Sequence, residues 1–357
     1  MCSSRVSCDD NDKRQITVTS QLRFNSKTKT HLCLAGLAFS GILLGLCVVA
    51  SIAWGAADIS FSEAYQSLIA FDGSPNHLII RTVRLPRSLL AIIVGAAISM
   101  AGAIMQGITR NPLADPGILG INAGAVLAVV GTIFLFGASS PSFYVWCAFA
   151  GAGITALSVY FLASLGRSGT TPLNLTIAGA AVSAFLTSLT TAVLIVSQRT
   201  LEEIRFWLAG SLAGADLSLV RQILPYVCVG AILTLMISRQ ITILSLGEEV
   251  ATGLGQNTVW VKMAAAVCVL LLAGSAVAVA GAIGFIGLVV PHIVRLLVGV
   301  DYRWILPYSA VFGAILLLGS DIAARLILQP QEIPVGIMTA LVGAPFFLYL
   351  AKTKVKK

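Results

Sequence analysis

The chain has 357 residues, of which 57% are hydrophobic and only 11% are charged. Soluble domains are roughly 45–50% apolar and about 25% charged, so this composition excludes an ordinary soluble protein. The net charge of +8 does not indicate nucleic-acid binding, because much of the positive excess lies in the two tails and no soluble domain offers a basic face.

Long apolar stretches recur along the whole chain and predict an all-α, polytopic membrane protein. A helix needs about 20 apolar residues to cross a bilayer, and ten stretches approach or exceed that length. The eighth stretch is short and contains Pro291, His292 and Arg295. The predicted spans are residues 33–53, 86–108, 117–137, 143–164, 173–196, 218–237, 259–280, 282–299, 304–327 and 333–351.

Basic residues at both ends predict the orientation, because Lys and Arg accumulate on the cytoplasmic side of membrane proteins. We expect a polar, disordered cytoplasmic tail at residues 1–31, a ten-span domain at residues 32–351 and a basic cytoplasmic tail at residues 352–357. The first apolar run also resembles a signal peptide core, but its length and the many later spans favour an uncleaved helix. The basic residues are Lys13, Arg14, Arg23, Lys27, Lys29, Lys352, Lys354, Lys356 and Lys357.

An arginine-rich stretch, "RTVRLPRSLL" at residues 81–90, precedes the second span. With a cytoplasmic amino terminus it is extracytoplasmic, where Lys and Arg are normally scarce. Arg84 and Arg87 could extend to lipid headgroups at the helix mouth. Alternatively, guanidinium groups bind carboxylates bidentately, so three arginines around Pro86, at a favourable helix-start position, predict a docking site for an acidic external protein.

A second extracytoplasmic stretch, "DIAARLILQPQEIPVG" at residues 321–336, lies between the last two spans. It contains Arg325 and Glu332, and Arg325 is a second candidate for docking. Asp321 lies four residues before Arg325 on the same helical face, so an intrahelical ion pair is the alternative interpretation.

An internal repeat predicts two related halves. "GAAISMAGAI" at residues 95–104 and "GSAVAVAGAI" at residues 274–283 match at an offset of 179 residues, which also aligns Pro112 with Pro291. Spans two and seven are five spans apart, so the copies cross the membrane in opposite directions. Inverted repeats of this kind are typical of transporters. Glycines at helical spacing, such as Gly41 with Gly45, predict close helix packing.

Two segments rich in proline and glycine predict breaks in the helices. In "QGITRNPLADPGILGINAGA", which begins at Gln106, Asn111 and Pro112 are candidates for the inner mouth of a pathway, with an ordinary turn as the alternative. In "GFIGLVVPHIVR", Pro291 and His292 either line the pathway or end a helix at the headgroups.

The longest cytoplasmic interruption, residues 238–262, contains "LGEEVATGLG". Glu248, Ala251 and Leu254 predict a short amphipathic helix that is ended by Gly255. Acidic rather than basic polar residues argue against a helix lying on lipid and favour a contact with a soluble partner. The chain has no G-x-x-x-x-G-K-[ST] motif, so any nucleotide must be bound by another subunit.

The sequence offers no enzymatic constellation. It lacks H-E-x-x-H and G-x-S-x-G motifs, and its three histidines are far apart. The seven cysteines have no C-x-x-C spacing and are interpreted as small packing residues. We therefore expect a transport protein that binds no metal or cofactor directly.

Four ordered motifs resemble the FecCD-type permeases, which are membrane subunits of ABC importers for ferric siderophores, haem and cobalamin. These motifs are the stretch from "RTVRLPRSLL" through "LADPGILGINAG", then "LGEEVATGLG", "GAIGFIGLVVPHIVR" and "EIPVGIMTALVGAPFF". The resemblance covers roughly residues 35–351. It implies a ten-span fold, a second identical or paralogous permease, two cytoplasmic ATP-binding subunits and an external substrate-binding protein.

The resemblance also implies roles for individual residues. Arg84, Arg87 and Arg325 match positions that face glutamates of the binding protein, and Arg81 has no such counterpart. The coupling helix, which contacts the ATP-binding subunit, matches Glu248, Ala251, Leu254 and Gly255. "GTTPLN" matches the region of the cytoplasmic gate, with Thr170 and Thr171 as gate residues, although Pro172 departs from the family pattern.

These expectations describe a multi-pass permease of the bacterial plasma membrane that imports iron(III)–siderophore complexes, with ATP used by the partner subunit. Cobalamin or haem is the alternative substrate within the same family. An ion-coupled secondary transporter is the alternative mechanism, since inverted repeats occur there too, and Asp321 is then the candidate titratable group.

Overall fold

The computed structural model describes residues 26–55, 59, 61–70, 72–137, 140–165, 171–328 and 331–354. All regular elements among these residues are helical. In chain order they are α1 Ser26–Ala53, α2 Phe61–Ile69, α3 Pro75–Thr109, α4 Ile121–Phe136, α5 Pro141–Ser164, α6 Pro172–Val196, α7 Gln198–Leu208, α8 Leu217–Met236, α9 Ser238–Ser245, α10 Glu248–Gly253, α11 Thr258–Ala280, α12 Ile286–Val298, α13 Tyr302–Leu326 and α14 Val335–Lys354.

The predicted all-α membrane fold is confirmed. Seven of the described helices are long and apolar enough to cross a membrane, namely α1, α3, α5, α6, α8, α11 and α13. Three shorter apolar helices, α4, α12 and α14, bring the total to the ten that the sequence predicts. Helices α2, α7, α9 and α10 are short and were not counted as spans, since none has the length to cross a bilayer.

Helix starts are set by local side chains that accept hydrogen bonds from the first unpaired backbone N–H groups. Ser140 accepts from the N–H of Phe143 at the start of α5, and Asp216 accepts from two N–H groups at the start of α8. Proline occupies the first turn of α3, α5 and α6, where its missing N–H is not needed. Caps and first-turn prolines thus fix where these helices begin.

The second span differs most from its prediction. It begins at Pro75 rather than residue 86, so the arginine-rich stretch lies inside α3. Residues Ile80–Arg84 form a π-helical segment, in which the N–H of Leu85 donates to the carbonyl of Ile80. Pro86, directly after this segment, has no N–H to donate, and the wider π-helical turn accommodates the missing hydrogen bond.

Both predicted tails are shorter than expected. Helix α1 begins at Ser26, so residues 26–31 are helical rather than part of a disordered tail. Helix α14 continues through Lys354. Residues 1–25 and 355–357 lie outside the described part of the chain.

Helix α3 forms the centre of the fold. In its most apolar window 78% of the residues are buried, against 11% in α1 and in α6. Close approach depends on paired glycines: Gly95 of α3 faces Gly313 of α13, and Gly102 of α3 faces Gly287 of α12, with backbone against backbone. Gly41 of α1, which was expected to pack similarly, faces open space because α1 lies at the periphery.

The two copies of the repeat differ in conformation. Residues 95–104 lie within the continuous helix α3, whereas residues 274–283 begin at the end of a π-helical segment and run past the end of α11 at Ala280. Pro112 lies in a turn, but Pro291 lies inside α12. The repeat therefore marks related segments whose helix ends have diverged.

Candidate functional sites

The three arginines predicted to dock a partner converge at one site. We call this site the arginine cluster and define it as Arg84, Arg87 and Arg325 with Asp321 and Glu332. The Nε and Nη2 atoms of Arg87 each lie 2.9 Å from Oδ1 of Asp321, and its Nη1 lies 2.6 Å from Oε2 of Glu332. One guanidinium group therefore joins α3 to α13 and to the segment before α14.

Arg325 binds Asp321 from the other side. Its Nη2 lies 3.1 Å from Oδ2 of Asp321 and 2.8 Å from Oγ of Ser51, and its Nη1 donates to the carbonyls of Ser51 and Trp54. The intrahelical pair that was the alternative interpretation of this stretch is thus present. Asp321 is neutralised between two guanidinium groups, one on each side.

Arg84 completes the cluster by binding the carboxyl end of α1. Its Nη1 donates to the carbonyls of Ile52 and Ala53, at 2.8 Å and 2.7 Å. The last carbonyls of a helix have no partner within the helix and carry partial negative charge, so cations bind there favourably. Arg84 and Arg325 together satisfy this end of α1.

The cluster is buried. Arg84, Arg87 and Arg325 are 4%, 5% and 3% exposed, and Asp321 is fully buried. The side chain of Glu332 is 35% exposed, which makes it the most accessible member of the cluster. No arginine of the cluster offers a free guanidinium face to a partner, and direct docking requires a rearrangement.

Arg81, whose role the sequence left open, lies one turn away in the same π-helical segment. Its Nε donates to the carbonyl of Ser67 at 2.8 Å and holds α2 against α3. The structure thus shows a positioning contact for Arg81 within the fold.

The predicted amphipathic helix between α9 and α11 is present as α10. Ala251 is fully buried and packs with Leu244 and Val261, whereas Leu254 is 67% exposed and Val250 is also exposed. The N–H of Gln256 donates to the carbonyl of Ala251, and Gly255 adopts a φ of +79°, which ends the helix as predicted. One face of α10 therefore packs against the rest of the fold, and the other face is exposed.

Glu248 at the start of α10 is held by α11. Its Oε1 accepts from Nζ of Lys262 at 2.7 Å and from the hydroxyl of Thr258 at 3.2 Å. The hydrogen bond from Lys262 is the main reason that the pKa of Glu248 lies below its ordinary value. Glu249, which follows it, is exposed. Glu248 therefore fixes the position of α10, and Glu249 is the acidic side chain available to a partner.

Two breaks interrupt the apolar helices, at residues 110–120 and 281–285. In the first break the carbonyl of Ile118 packs against Gly179 of α6, seven residues above the start of that helix, or about 10 Å at 1.5 Å per residue. In the second break Phe285 packs against Gly343, eight residues into α14. The later part of the first break, around Ile118, and the second break at Phe285 are covered by helices, whereas residues 110–113 are largely exposed.

The predicted pathway residue Gln106 joins the two halves. It is buried in α3, and its Nε2 donates to the carbonyls of Gly287 and Leu288 at 3.3 Å and 3.1 Å, at the start of α12. The Asp115 carboxylate of the first break lies beside the same Gly287. Gln106 and both breaks thus meet at the amino end of α12.

The remaining predicted pathway residues are spread over the fold. Oδ1 of Asn111 accepts from the N–H of Leu113 in an exposed turn that also contains Pro112. Pro291 is buried inside α12, and the half-buried His292 stacks edge-on against Phe346 at a ring distance of 6.0 Å. These residues do not form one lining with Gln106.

The predicted gate residues lie at the start of α6. The hydroxyl of Thr171 accepts from the N–H of Asn174 at 3.2 Å and caps the helix, and Pro172 takes the first helical position. Thr170 lies outside the described residues. The proline that departs from the family pattern is therefore compatible with a normal helix start.

Two functional features escaped the sequence analysis. One is the carboxyl end of α1 as a binding partner of the arginines, which was detectable in principle because helix carboxyl ends attract cations. The other is the exposed face of α6, where Thr176, Thr187 and Thr191 lie on one side of the helix. The separations of these threonines are sums of steps of three and four residues, which places them on one helical face and was visible in the sequence.

Comparison with known proteins agrees with this architecture. Residues 42–353 match the model of the FecCD transport family. The chain belongs to that family. "Probable siderophore transport system permease protein YfiZ" from Bacillus subtilis is 48% identical over 88% of this chain and 94% of its own length. "Fe(3+)-citrate import system permease protein YfmD" from the same organism is 45% identical over 91% of this chain and 96% of its own length.

A solved structure shares the fold of this FecCD family member. A metal-chelate type ABC transporter in an inward-facing conformation is 30% identical, with a TM-score of 0.77, over 89% of this chain and 98% of that one. The chain is therefore a multi-pass membrane transport component of the ABC permease type.

Proposed function

We propose that this chain is the permease subunit of a binding-protein-dependent ABC importer for iron(III)–siderophore complexes. The observation that carries the proposal is the match over nearly the full length to permeases named for siderophore and iron-citrate import. The chain lies in the bacterial plasma membrane with both termini in the cytoplasm, as the basic tails indicate. Cobalamin or haem is the alternative substrate.

Helix α10 is the proposed contact with the cytoplasmic ATP-binding subunits, two of which serve a pair of permeases. Support comes from its exposed Val250, Leu254 and Glu249 beside a buried Ala251. An anchored helix with an exposed apolar face suits a groove in a soluble protein. The ATP is hydrolysed by that partner, and this chain needs no cofactor of its own and binds no nucleic acid.

The arginine cluster is the proposed docking site for the external binding protein, through an exchange of partners. A carboxylate of the binding protein replaces Glu332 on Nη1 of Arg87, while Asp321 stays in place between Arg87 and Arg325. Burial argues for this route, because Glu332 is the accessible member and the arginines are not. Exchange leaves every buried charge paired, so its energetic cost is small.

The translocation pathway is proposed to form between α6 and the same helix of a second, identical or paralogous permease. In the single chain one face of α6 is exposed while the other packs against the bundle, and the exposed threonines suit a polar cargo. Thr171 at its amino end and the break at residues 110–120 lie at the proposed inner mouth. Asn111 and Pro112 lie in the turn of that break, Gln106 holds the two halves together, and Pro291 and His292 position α12.

An ion-coupled secondary transporter is less well supported. That mechanism requires a titratable group in the pathway, and Asp321 was its candidate. Asp321 is instead enclosed between Arg87 and Arg325, where its charge is compensated and water has no access.

Uptake measurements test the proposed function. A strain lacking the gene should fail to accumulate a radiolabelled iron(III)–siderophore complex, and the wild-type gene should restore accumulation. ATP depletion should abolish uptake, whereas a protonophore should not do so while ATP is maintained. Uptake that stops with the protonophore but survives ATP depletion would count against an ABC importer.

The exchange at Glu332 has its own test. Glu332→Gln weakens the competing internal acid, so the binding protein should bind the reconstituted importer several-fold more tightly. Glu203→Gln, at an exposed pair with Arg199 on α7, is the matched control and should leave the affinity unchanged. Equal affinities for wild type and Glu332→Gln would refute the exchange while leaving the transport function intact.

A further inference from the structure

A large groove lies on the outer surface of the helical bundle, away from the sites described above. It encloses about 670 Å³ between α1, α12 and α13, which is within the range of about 300–1,000 Å³ found for small-molecule sites. Its walls are formed chiefly by Leu32, Gly36, Phe39, Leu43, Leu297 and Phe312.

The floor of the groove is fixed by a contact between α1 and α13. The hydroxyl of Tyr308 donates to the carbonyl of Cys33 at 2.7 Å, and the Tyr308 ring fills the space over Gly36. Ser40, the other polar residue of the wall, donates to the carbonyl of Leu37. Because these hydroxyl groups are already bonded within the fold, the groove presents an apolar surface to any occupant.

The length of the groove matches one leaflet of a bilayer. From Leu32 to Leu43 the helix advances by eleven residues, or about 16 Å at 1.5 Å per residue. One half of the hydrocarbon core is about 15 Å thick. The groove therefore runs from the amino-terminal end of the spanning part of α1 to about the middle of the membrane.

The end of the groove near Leu32 adjoins basic sequence. Lys27 and Lys29 lie in the first turns of α1, shortly before Leu32. The negative headgroups of anionic lipids are attracted to such juxtamembrane lysines. The opposite end, near Leu43 in the middle of the span, has no charged residue among the wall residues.

We propose that this groove is a binding site for one acyl chain of an anionic phospholipid from the leaflet at the amino-terminal end of α1. The acyl chain lies along Gly36 and Phe39 toward Leu43, and the headgroup remains at the level of the lysines. The lipid completes the packing of α1, which is otherwise held to the bundle on one side only. This site is independent of the cargo and of the transport mechanism.

Photolabelling tests the site with the full chain in lipid nanodiscs. The probe is a phosphatidylglycerol with a photoreactive group along one acyl chain, and the labelled peptides are identified by mass spectrometry. Labelling should be several-fold higher on the peptides that contain Phe39 and Phe312 than on the exposed apolar residues Ile154 and Phe161 of α5, which do not line this groove. Labelling spread evenly over all exposed apolar residues would overturn the proposal.

A matched pair of variants distinguishes blocking of the groove from a general disruption of the fold. Leu43→Trp places a large side chain in the groove, whereas Leu46→Trp lies one turn further along α1, is exposed and does not line it. Leu43→Trp should reduce labelling of the Phe312 peptide several-fold, and Leu46→Trp should leave it unchanged, with both variants eluting like wild type in size-exclusion chromatography. Equal labelling in the two variants contradicts the proposed position of the chain.

A zwitterionic probe examines the headgroup. Phosphatidylcholine with the same photoreactive chain should label the groove several-fold less than phosphatidylglycerol. Equal labelling by the two probes would overturn the anionic assignment. Protection of the groove by a second copy of the chain, seen as cross-linked dimers without lipid label, would overturn the lipid assignment as a whole.

Discussion

The arginine cluster and helix α10 carry charged side chains at opposite ends of the bundle but use them differently. In the cluster, Arg87 and Asp321 are buried and bind each other across 234 residues of sequence. In α10, the buried Ala251 and the pair between Glu248 and Lys262 anchor the helix while Leu254 and Glu249 remain exposed. The first region satisfies its charges within the chain, and the second leaves its surface for another molecule.

This difference bears on how each region can bind a partner. At α10 a partner adds contacts to a surface that is already exposed. At the cluster a partner must replace an existing contact, so the gain is the difference between two ion pairs and is correspondingly small. Such an exchange of ion pairs contributes more to the specificity and orientation of binding than to its affinity.

The largest expected effect is on the stability of the cluster. Asp321→Asn removes the charge shared by two buried guanidinium groups, and breaking a buried pair in this way costs about 3–5 kcal/mol. The measurement is the thermal unfolding of the purified protein in detergent.

The control for this prediction is a pair at the surface. Asp301→Asn keeps a residue that can cap α13 but weakens the exposed pair with Arg303, where Nη2 and Oδ2 are 2.7 Å apart. Its expected cost is about 1 kcal/mol or less. Similar losses in the free energy of unfolding for Asp321→Asn and Asp301→Asn would mean that the arginine cluster is solvated. The contrast between a buried cluster and an exposed α10 would then not hold.

The next effect concerns the buried face of α10. Ala251→Leu inserts a large side chain against Leu244 and Val261, where Ala251 has no exposed surface. Overpacking of this kind costs about 1–3 kcal/mol. Thermal unfolding should therefore occur at a lower temperature, and limited proteolysis should cut the chain near α10 more rapidly than in wild type. Unchanged proteolysis would show that α10 is not anchored by this residue.

The exposed face of α10 should respond in the opposite way. Leu254→Asp changes an exposed residue, so the free energy of unfolding should change by no more than about 0.5 kcal/mol. Co-purification of the ATP-binding subunit and transport-coupled ATP hydrolysis should nevertheless fall strongly, because an apolar contact with the partner is lost. Leu246→Asp, on an exposed residue before the helix, distinguishes a specific contact from a general effect of added charge. Equal losses of co-purification and ATP hydrolysis in both variants would argue against a specific contact between Leu254 and the ATP-binding subunit.

The sequence predicted the spans more accurately than the arrangement of charges. The spans followed from the length and hydropathy of the apolar stretches, which are local properties of the sequence. The end of α10 at Gly255 also followed from a local signal, because glycine readily adopts the positive φ that ends a helix. Such patterns predict the structure correctly because they depend only on residues that are close together in the sequence.

The burial of the arginines had no local signal. From the sequence Arg87 is predicted to be a surface residue, because its acidic partner Asp321 is 234 residues away. Only the folded chain brings the two side chains together. The start of α3 was missed for a related reason, since Pro86 normally begins a helix and the π-helical turn that accommodates it has no clear sequence signature. Gln106 was chosen for its place in a motif, and its two carbonyl acceptors on α12 became visible only in the fold.

The smallest effect is a pH dependence at the start of α10. The pKa of Glu248 is lowered from its ordinary value of 4.5, mainly by the hydrogen bond from Lys262. A lowered pKa in the folded state contributes stability that is fully present above the unfolded value and is lost as the pH falls through the folded value. The advantage of wild type over Lys262→Met in thermal unfolding should therefore be constant from pH 7 to about pH 5 and should shrink below about pH 4.5. Because Glu248 is partly exposed, solvent screening keeps the difference small and added salt should reduce it further.

A difference in stability that persists unchanged at low pH would mean that Lys262 acts through the packing of its alkyl chain. Glu248 would then belong, like Glu249, to the surface that is available to the partner.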